Sequence, residues 1–159
     1  MPTLFLGVFL CGSLLLVERA NMGKARIFVA DDDKDLSELI RTLLEDDGYS
    51  VTMLKAVSNA YEEIAASLPD LLILDITLEH PDVGWLVLDK VKLDPATFDI
   101  PVIICSAAIS AIRDNQDRLK RLGCFVVEKP FDIDELLTVT ARALDEGPHA
   151  TAEETGPLS

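Results

Sequence analysis

The stretch Ile27-Phe28-Val29-Ala30-Asp31-Asp32-Asp33 joins a short apolar run to three consecutive carboxylates. Three later stretches share this design, in which an apolar run is followed by a polar residue. They are Leu71-Leu72-Ile73-Leu74 before Asp75, Val102-Ile103-Ile104-Cys105 before Ser106, and Phe125-Val126-Val127-Glu128 before Lys129-Pro130. Because parallel strands end at one edge of a sheet, we expect these polar residues to meet at that edge, where open α/β sheets bind ligands.

Amphipathic helical patterns separate the apolar runs, which indicates βαβ units and a parallel sheet. Asp33 and Asp35 are both expected to be caps, and the first helix is expected to follow a capping box formed by Asp35 and Glu38 and to end at Gly48. Its expected buried stripe consists of Leu36, Leu39, Ile40, Leu43 and Leu44. A short second strand is predicted from Tyr49 to Leu54.

Four further helices follow from the same periodicity. The second helix is predicted to contain Val57, Tyr61, Ile64 and Leu68 and to stop at Pro69, and a polar helix is expected from Ile109 to Leu122. Between them, a helix after Gly84 is expected to bury Trp85, Leu88 and Val91. The last is predicted to start with a capping box of Asp132 and Glu135, to bury Ile133, Leu136, Leu137, Thr140 and Leu144, and to end at Gly147-Pro148. Right-handed crossovers would then make all strands parallel, with helices on both faces.

The composition limits the classes of function. The chain has 159 residues, enough for one core, and a formal net charge of −14 from 28 acidic and 14 basic side chains. This balance argues against direct nucleic-acid binding, which needs clustered Lys and Arg. The three cysteines form no CxxC pair, so structural thiols are favoured over a metal or redox site.

The two ends of the chain lack the alternating strand and helix patterns of the rest. Residues 4–17 are almost wholly apolar, yet the run is shorter than the roughly 20 residues of a membrane-spanning helix. The favoured interpretation is that Met22 is the biological start and that residues 1–21 are an upstream extension, so that residues 1–23 lie outside the domain. A weak membrane anchor is the second interpretation, and a signal peptide is the third. Residues 147–159 are predicted to be a disordered tail.

The predicted cluster of polar residues suits phosphoryl transfer with a divalent metal. Asp31, Asp32 and Asp75 would repel one another, and Mg²⁺ would remove that repulsion. The backbone carbonyl of Thr77 is placed to supply a neutral ligand. A carboxylate can attack phosphorus, while Lys129 neutralises the transferring oxygens and Ser106 offers them a hydroxyl group.

Taken together, Asp31-Asp32, Asp75, Ser106-Ala107 and Lys129-Pro130-Phe131 resemble the receiver domain of bacterial two-component response regulators. The resemblance covers residues 24–146 and implies a doubly wound sheet of strand order 2-1-3-4-5. It implies that Asp75 accepts phosphate from a sensor histidine kinase or a phosphotransfer protein, that Asp31 and Asp32 hold Mg²⁺, and that the Lys129–Pro130 bond is cis. At most, such a domain catalyses its own phosphorylation and dephosphorylation.

Two positions depart from the family pattern. The family usually has a proline four residues after the phosphoacceptor and a glycine eight residues after it, whereas this chain has Glu79 and reaches Gly84 nine residues on. The loop beside the site is therefore one residue longer. The family's switch aromatic usually lies three residues before the lysine, where this chain has Val126, with Phe125 one residue earlier. A weakened or rerouted switch is expected.

The favoured function is a stand-alone cytoplasmic phosphorylation switch that signals to an unknown protein target by binding it. Membrane contact is expected only if the N-terminal apolar segment is part of the protein. A pseudo-receiver that docks without phosphorylation is the main alternative, although it would not need three clustered carboxylates. An aspartate-nucleophile phosphatase of the haloacid dehalogenase type fits less well, because Asp35 stands where that motif has a threonine.

Overall fold

The structure is a computed structural model and describes residues 23–148. Its strands are Arg26–Ala30 (β1), Ser50–Met53 (β2), Leu71–Leu74 (β3), Val102–Ser106 (β4) and Phe125–Glu128 (β5). Its α-helices are Lys34–Asp46 (α1), Ala60–Ser67 (α2), Val83–Leu93 (α3), Ile109–Asp114 (α4), Gln116–Arg121 (α5) and Ile133–Glu146 (α6), and a 3-10 turn spans Val57–Asn59. The strands form one parallel sheet in the order β2-β1-β3-β4-β5, so the predicted α/β fold class and strand order are confirmed.

Both faces of the sheet are covered, which explains the unbroken apolar runs. One face packs against α2, α3, α4 and α5, through a cluster that includes Phe28, Leu72 and Ile104. The other face packs against α1 and α6, through a cluster that includes Val29 and Ile73. Since side chains alternate between the faces of a strand, each run contributes to both clusters.

The starts of two helices differ from the predicted capping boxes. Asp33, and not Asp35, is the N-cap of α1, and its side chain accepts a hydrogen bond from the Leu36 N–H at 3.1 Å. Asp132 is the N-cap of α6 as predicted, but its side chain makes no capping hydrogen bond, so the predicted box with Glu135 does not form. The expected ends of α1 and α6 at Gly48 and Gly147 are confirmed by their positive φ angles.

Three residues that the helical periodicity assigned to the core are exposed. Leu39 is 51% exposed, Leu68 52% and Ile133 50%. Leu39 lies at the edge of a stripe that contacts the sheet mainly through Ile40 and Leu44. Leu68 is the C-cap of α2 with a φ of 44°, so it has left the helical face before Pro69. Apolar spacing alone therefore overestimated the buried width of these helices.

The single helix predicted from Ile109 to Leu122 is wrong, because the structure divides it at Asn115 into α4 and α5. The Asn115 side-chain amide donates to the Ala111 carbonyl at 2.9 Å. Asparagine side chains compete with the helical backbone for such acceptors, which favours a break.

In α3, Leu88 and Val91 are buried as predicted, while Trp85 is half-buried at the margin of the cluster.

The predictions for residues 1–22 and for residues 149–159 lie outside the described residues. Within residues 23–148, no helix has the length and apolar character needed to span a membrane.

Gly84, in the first turn of α3, brings this helix against the loop that follows β3. A Cβ atom at Gly84 would lie 2.2 Å from the Ile76 Cα and 2.5 Å from the Asp75 carbonyl oxygen. Both neighbours are backbone atoms, which cannot move aside as a flexible side chain could. The contact therefore keeps α3 close to Asp75.

We expect the Gly84→Ala substitution to lower the free energy of unfolding by about 2–3 kcal/mol, because the added methyl group overpacks a backbone contact. Urea denaturation would measure this loss. Gly48→Ala is the matched control, since a Cβ atom there has nothing within 4 Å and only its φ of 97° is unfavourable. Alanine is otherwise the better helix former by about 1 kcal/mol, so a stabilised Gly84→Ala variant would contradict the close approach.

Candidate functional site

Three carboxylates meet at the C-terminal edge of the sheet. Asp31 and Asp32 follow β1, and Asp75 follows the neighbouring strand β3, in a register that pairs Ala30 with Leu74. Each carboxylate has one oxygen within 4.8 Å of an oxygen of the other two. Asp31 and Asp75 are buried, whereas Asp32 is exposed. The neighbouring strands thus bring together the acidic residues that the sequence predicted to converge.

The Asp75 carboxylate is held by several hydrogen-bond donors. Its Oδ1 atom accepts hydrogen bonds from the Ser106 hydroxyl at 2.8 Å, the Thr77 N–H at 2.8 Å and the Thr77 hydroxyl at 2.7 Å. Ser106 is fully buried at the end of β4, the strand next to β3. These contacts fix the orientation of Asp75 at the edge of the sheet.

Lys129 supplies the positive charge of the site. Its Nζ atom lies 2.6 Å from Asp31 Oδ2 and 2.8 Å from Asp75 Oδ2, and its side chain is only 15% exposed. The lysine follows β5, and its backbone N–H donates to the Ser106 carbonyl at 3.0 Å. The predicted cis peptide bond between Lys129 and Pro130 is present. One ammonium group therefore bridges two buried carboxylates.

Three charged groups of the site have shifted pKa values. Burial raises the pKa of the Asp31 carboxyl group, and the hydrogen bonds from Lys129 and the Asp33 N–H offset this only in part. Burial also acts to raise the pKa of Asp75, but the hydrogen bonds from Lys129, Thr77 and Ser106 outweigh it and lower the pKa. Burial acts to lower the pKa of Lys129, but its bonds to Asp31 and Asp75 raise it. At neutral pH, Lys129 and Asp75 therefore form an ion pair.

The donor set fits a magnesium ion. Mg²⁺ prefers carboxylate and carbonyl oxygens, and Asp31, Asp32 and Asp75 offer three carboxylates around one point. The position of the Lys129 ammonium between Asp31 and Asp75 shows that the cluster already attracts a cation. Asp31, Asp32 and Asp75 would hold the metal, and the carbonyl of Thr77 stays a predicted fourth protein ligand.

Two contacts of the site were not anticipated from the sequence. The Thr77 hydroxyl binds Asp75, although only the Thr77 carbonyl was expected to take part. The Glu79 N–H donates to Asp32 Oδ2 at 3.1 Å. A hydroxyl residue two positions after a carboxylate is a recognisable signal for the first contact. The second contact depends on the conformation of the loop and has no sequence signal.

The two candidate switch residues lie on opposite faces of β5. Val126 is half-buried against the cluster that covers the α2–α5 face of the sheet. Phe125 is buried in the other cluster, where the Arg142 guanidinium lies 5.7 Å from the centre of its ring. Phe125 therefore cannot act in place of an aromatic residue at position 126, because a shift of one residue along a strand reverses the face.

In metal-free protein, we expect Lys129→Met to lower the free energy of unfolding by about 3 kcal/mol, because it leaves two buried carboxylates without their counter-charge. Urea denaturation with a chelator would measure the loss, and Lys120→Met, at an exposed position, is the control. Because the pKa of Lys129 is raised, its ion pair contributes fully to the free energy of unfolding below the ordinary lysine value of 10.5. This contribution is lost as pH rises through the raised pKa. Equal stability of the two variants at neutral pH would contradict this ion pair.

Comparisons with known proteins agree with this geometry. A family model described as "Response regulator receiver domain" matches residues 27–141. The nitrogen assimilation regulatory protein NtrX of Azorhizobium caulinodans is 36% identical over 120 residues, which cover 75% of this chain and 26% of that protein. The DNA-binding dual master transcriptional regulator RpaA of Synechocystis is 33% identical over 84% of this chain and 58% of its own length. This chain thus spans less than two thirds of either relative.

Solved structures of similar fold include the non-phosphorylated HemR receiver domain from Leptospira biflexa. It has a TM-score of 0.66 and is 28% identical, with 76% of this chain and 94% of that chain covered. The family match includes the ends of four strands that carry the carboxylates, the serine and the lysine described above. Through this match and its curated relatives, the chain belongs to the receiver domain family of two-component response regulators.

Proposed function

We propose that Asp75 accepts a phosphoryl group from a phosphohistidine of a sensor histidine kinase or a phosphotransfer protein. The observation that carries this proposal is the environment of Asp75. Asp75 is a buried carboxylate with a lowered pKa that contacts Lys129 and Ser106 and lies beside two further carboxylates. An ionised carboxylate that is held in place, with a cation beside it, suits attack on a phosphorus atom.

The transfer needs few groups. An Asp75 carboxylate oxygen attacks the phosphorus, the bond between phosphorus and the imidazole nitrogen breaks, and the aspartate becomes a mixed carboxylic–phosphoric anhydride. The imidazole leaves and takes up a proton from solvent. Lys129 and Ser106, which already contact Asp75, would then bind oxygens of the new phosphoryl group. A bound Mg²⁺ would neutralise charge on the phosphoryl oxygens.

The magnesium requirement follows from charge. Asp31, Asp32 and Asp75 carry more negative charge than Lys129 can balance, and a phosphoryl group adds to it. Members of the receiver family generally bind Mg²⁺ at this site, which supports the assignment of Asp31, Asp32, Asp75 and the Thr77 carbonyl as ligands. Residues 24–146 would form the functional unit.

The output of the switch is proposed to be a protein contact. The curated relatives are longer regulators, of which RpaA is described as DNA-binding, and this chain matches only part of them. Its net charge of −14 disfavours direct contact with nucleic acid by the receiver unit. Because histidine kinases take their phosphate from ATP inside the cell, we place the protein in the cytoplasm.

We expect incubation with acetyl phosphate and Mg²⁺ to add the mass of one phosphoryl group, as measured by intact mass spectrometry. Asp75→Asn should abolish this gain, because an amide oxygen is a poor nucleophile. Asp33→Asn is the matched control, since Asp33 caps α1 and lies outside the carboxylate cluster. Absence of labelling in folded wild-type protein would favour a docking pseudo-receiver, and continuous hydrolysis of unrelated phosphate esters would favour a phosphatase.

We also expect phosphorylation to cause a muted rearrangement of α4, α5 and β5. Val126 has no ring or hydroxyl group to exchange between buried and exposed positions, and Phe125 faces the other side of the sheet. Backbone amide chemical shifts with and without a phosphoryl mimic such as beryllofluoride would measure the change. Large shifts confined to the loops after β1, β3 and β4 are expected, and equally large shifts throughout α4 and β5 would contradict the prediction.

A further inference from the structure

Glu79 lies in the loop between β3 and α3, where this chain has one residue more than the family pattern. We propose that Glu79 is a positioning residue, whose backbone N–H orients the Asp32 carboxylate for a divalent cation. The inference rests on the proposed function, since it concerns the same metal site. It assigns to the longer loop a role that the other residues of the site do not supply.

Asp32 differs from the other two carboxylates of the site. Asp31 is buried and is held by Lys129 and by the Asp33 N–H, and Asp75 is buried and has four hydrogen-bond contacts. Asp32 is exposed, and within residues 23–148 its carboxylate accepts one hydrogen bond, from the Glu79 N–H at 3.1 Å. The orientation of Asp32 therefore depends on the position of Glu79.

The conformation of Glu79 is unusual for a residue with a side chain. Its φ is 52°, in the left-handed region that favours glycine. The His80 N–H donates to the Leu78 carbonyl across it, which makes a tight three-residue turn. Leu78 is fully buried before the turn. An unfavourable backbone conformation persists only where surrounding contacts hold it, and here those contacts direct the Glu79 N–H toward Asp32.

The usual family residue could not make this contact. Proline fixes φ near −65° and has no N–H to donate. At the corresponding position, Glu79 has both a positive φ and a donated N–H. The additional loop residue lets the chain form the turn and still bring Gly84 against Ile76. The departure from the family pattern therefore supplies a hydrogen-bond donor to Asp32 that a proline at this position could not supply.

The hydrogen bond has a consequence for metal affinity. Asp31, Asp32 and Glu79 line a cleft of about 310 Å³ together with Lys34 and Lys55. An exposed carboxylate at such an open site loses conformational freedom when it binds a metal, and this loss weakens binding. Because the Glu79 N–H already restricts Asp32 in the metal-free protein, less freedom is lost on binding.

Isothermal titration calorimetry with Mg²⁺ tests the inference on the wild-type protein and three variants. Glu79→Pro removes both the N–H and the positive φ that directs it toward Asp32, and should weaken Mg²⁺ binding by about three- to tenfold, the effect of freeing one side chain. Glu79→Gly keeps the N–H and the positive φ, and Glu79→Gln keeps the N–H without the charge. Both control variants should stay within about twofold of the wild type, as a factor of two is under half a kcal/mol.

A second readout uses the metal-free protein and does not depend on the folding of the proline variant. Amide hydrogen exchange should show the Glu79 N–H protected in the wild type and unprotected in Asp32→Ala. Equal exchange in the two proteins would overturn the inference, as would an equal loss of Mg²⁺ affinity in Glu79→Gln and Glu79→Pro. A wild-type protein without Mg²⁺ binding would overturn the proposed function as well, whereas tight binding that Glu79→Pro leaves unchanged would overturn this inference alone.

Discussion

The bridge from the Lys129 ammonium group to Asp31 and Asp75 is the interaction on which the site depends. Three carboxylates within 4.8 Å of one another repel, and two of them are buried away from water. Lys129 offsets this repulsion, because its ammonium group acts as the counter-ion of both buried carboxylates. The same unbalanced negative charge makes the site suitable for a divalent metal, so stability and function are set by one electrostatic arrangement.

The fold holds the charged side chains of the site at fixed distances from one another. The polar residues follow β1, β3, β4 and β5, which are neighbours in one parallel sheet and end at the same edge. Helices on both faces bury the strands, so the strand ends have little freedom to move apart. Gly84 adds a close backbone contact between α3 and the residues around Asp75. The packing of the helices against the sheet thus helps to determine the distances between the carboxylates.

The sequence predicted the sheet and the convergence of Asp31, Asp75, Ser106 and Lys129, because buried strands have long apolar runs whose ends are easy to locate. It did not decide which of several neighbouring polar residues makes each local hydrogen bond. Asp33 rather than Asp35 caps α1, and Asn115 divides a predicted helix, since neighbouring polar residues compete for the same backbone groups. The contact between Glu79 and Asp32 could not be predicted from the sequence either, because it depends on a left-handed backbone conformation at Glu79.

Chemical trapping of the phosphorylated residue tests the central claim most directly. Borohydride reduces an aspartyl phosphate to homoserine with release of phosphate, and peptide mass spectrometry then locates the altered residue. After treatment with a phosphodonor and Mg²⁺, we predict homoserine at position 75, with Asp31 and Asp32 unchanged. Homoserine at position 31 or 32, or intact aspartate at all three positions in folded protein, would contradict the assignment of Asp75 as the phosphoacceptor.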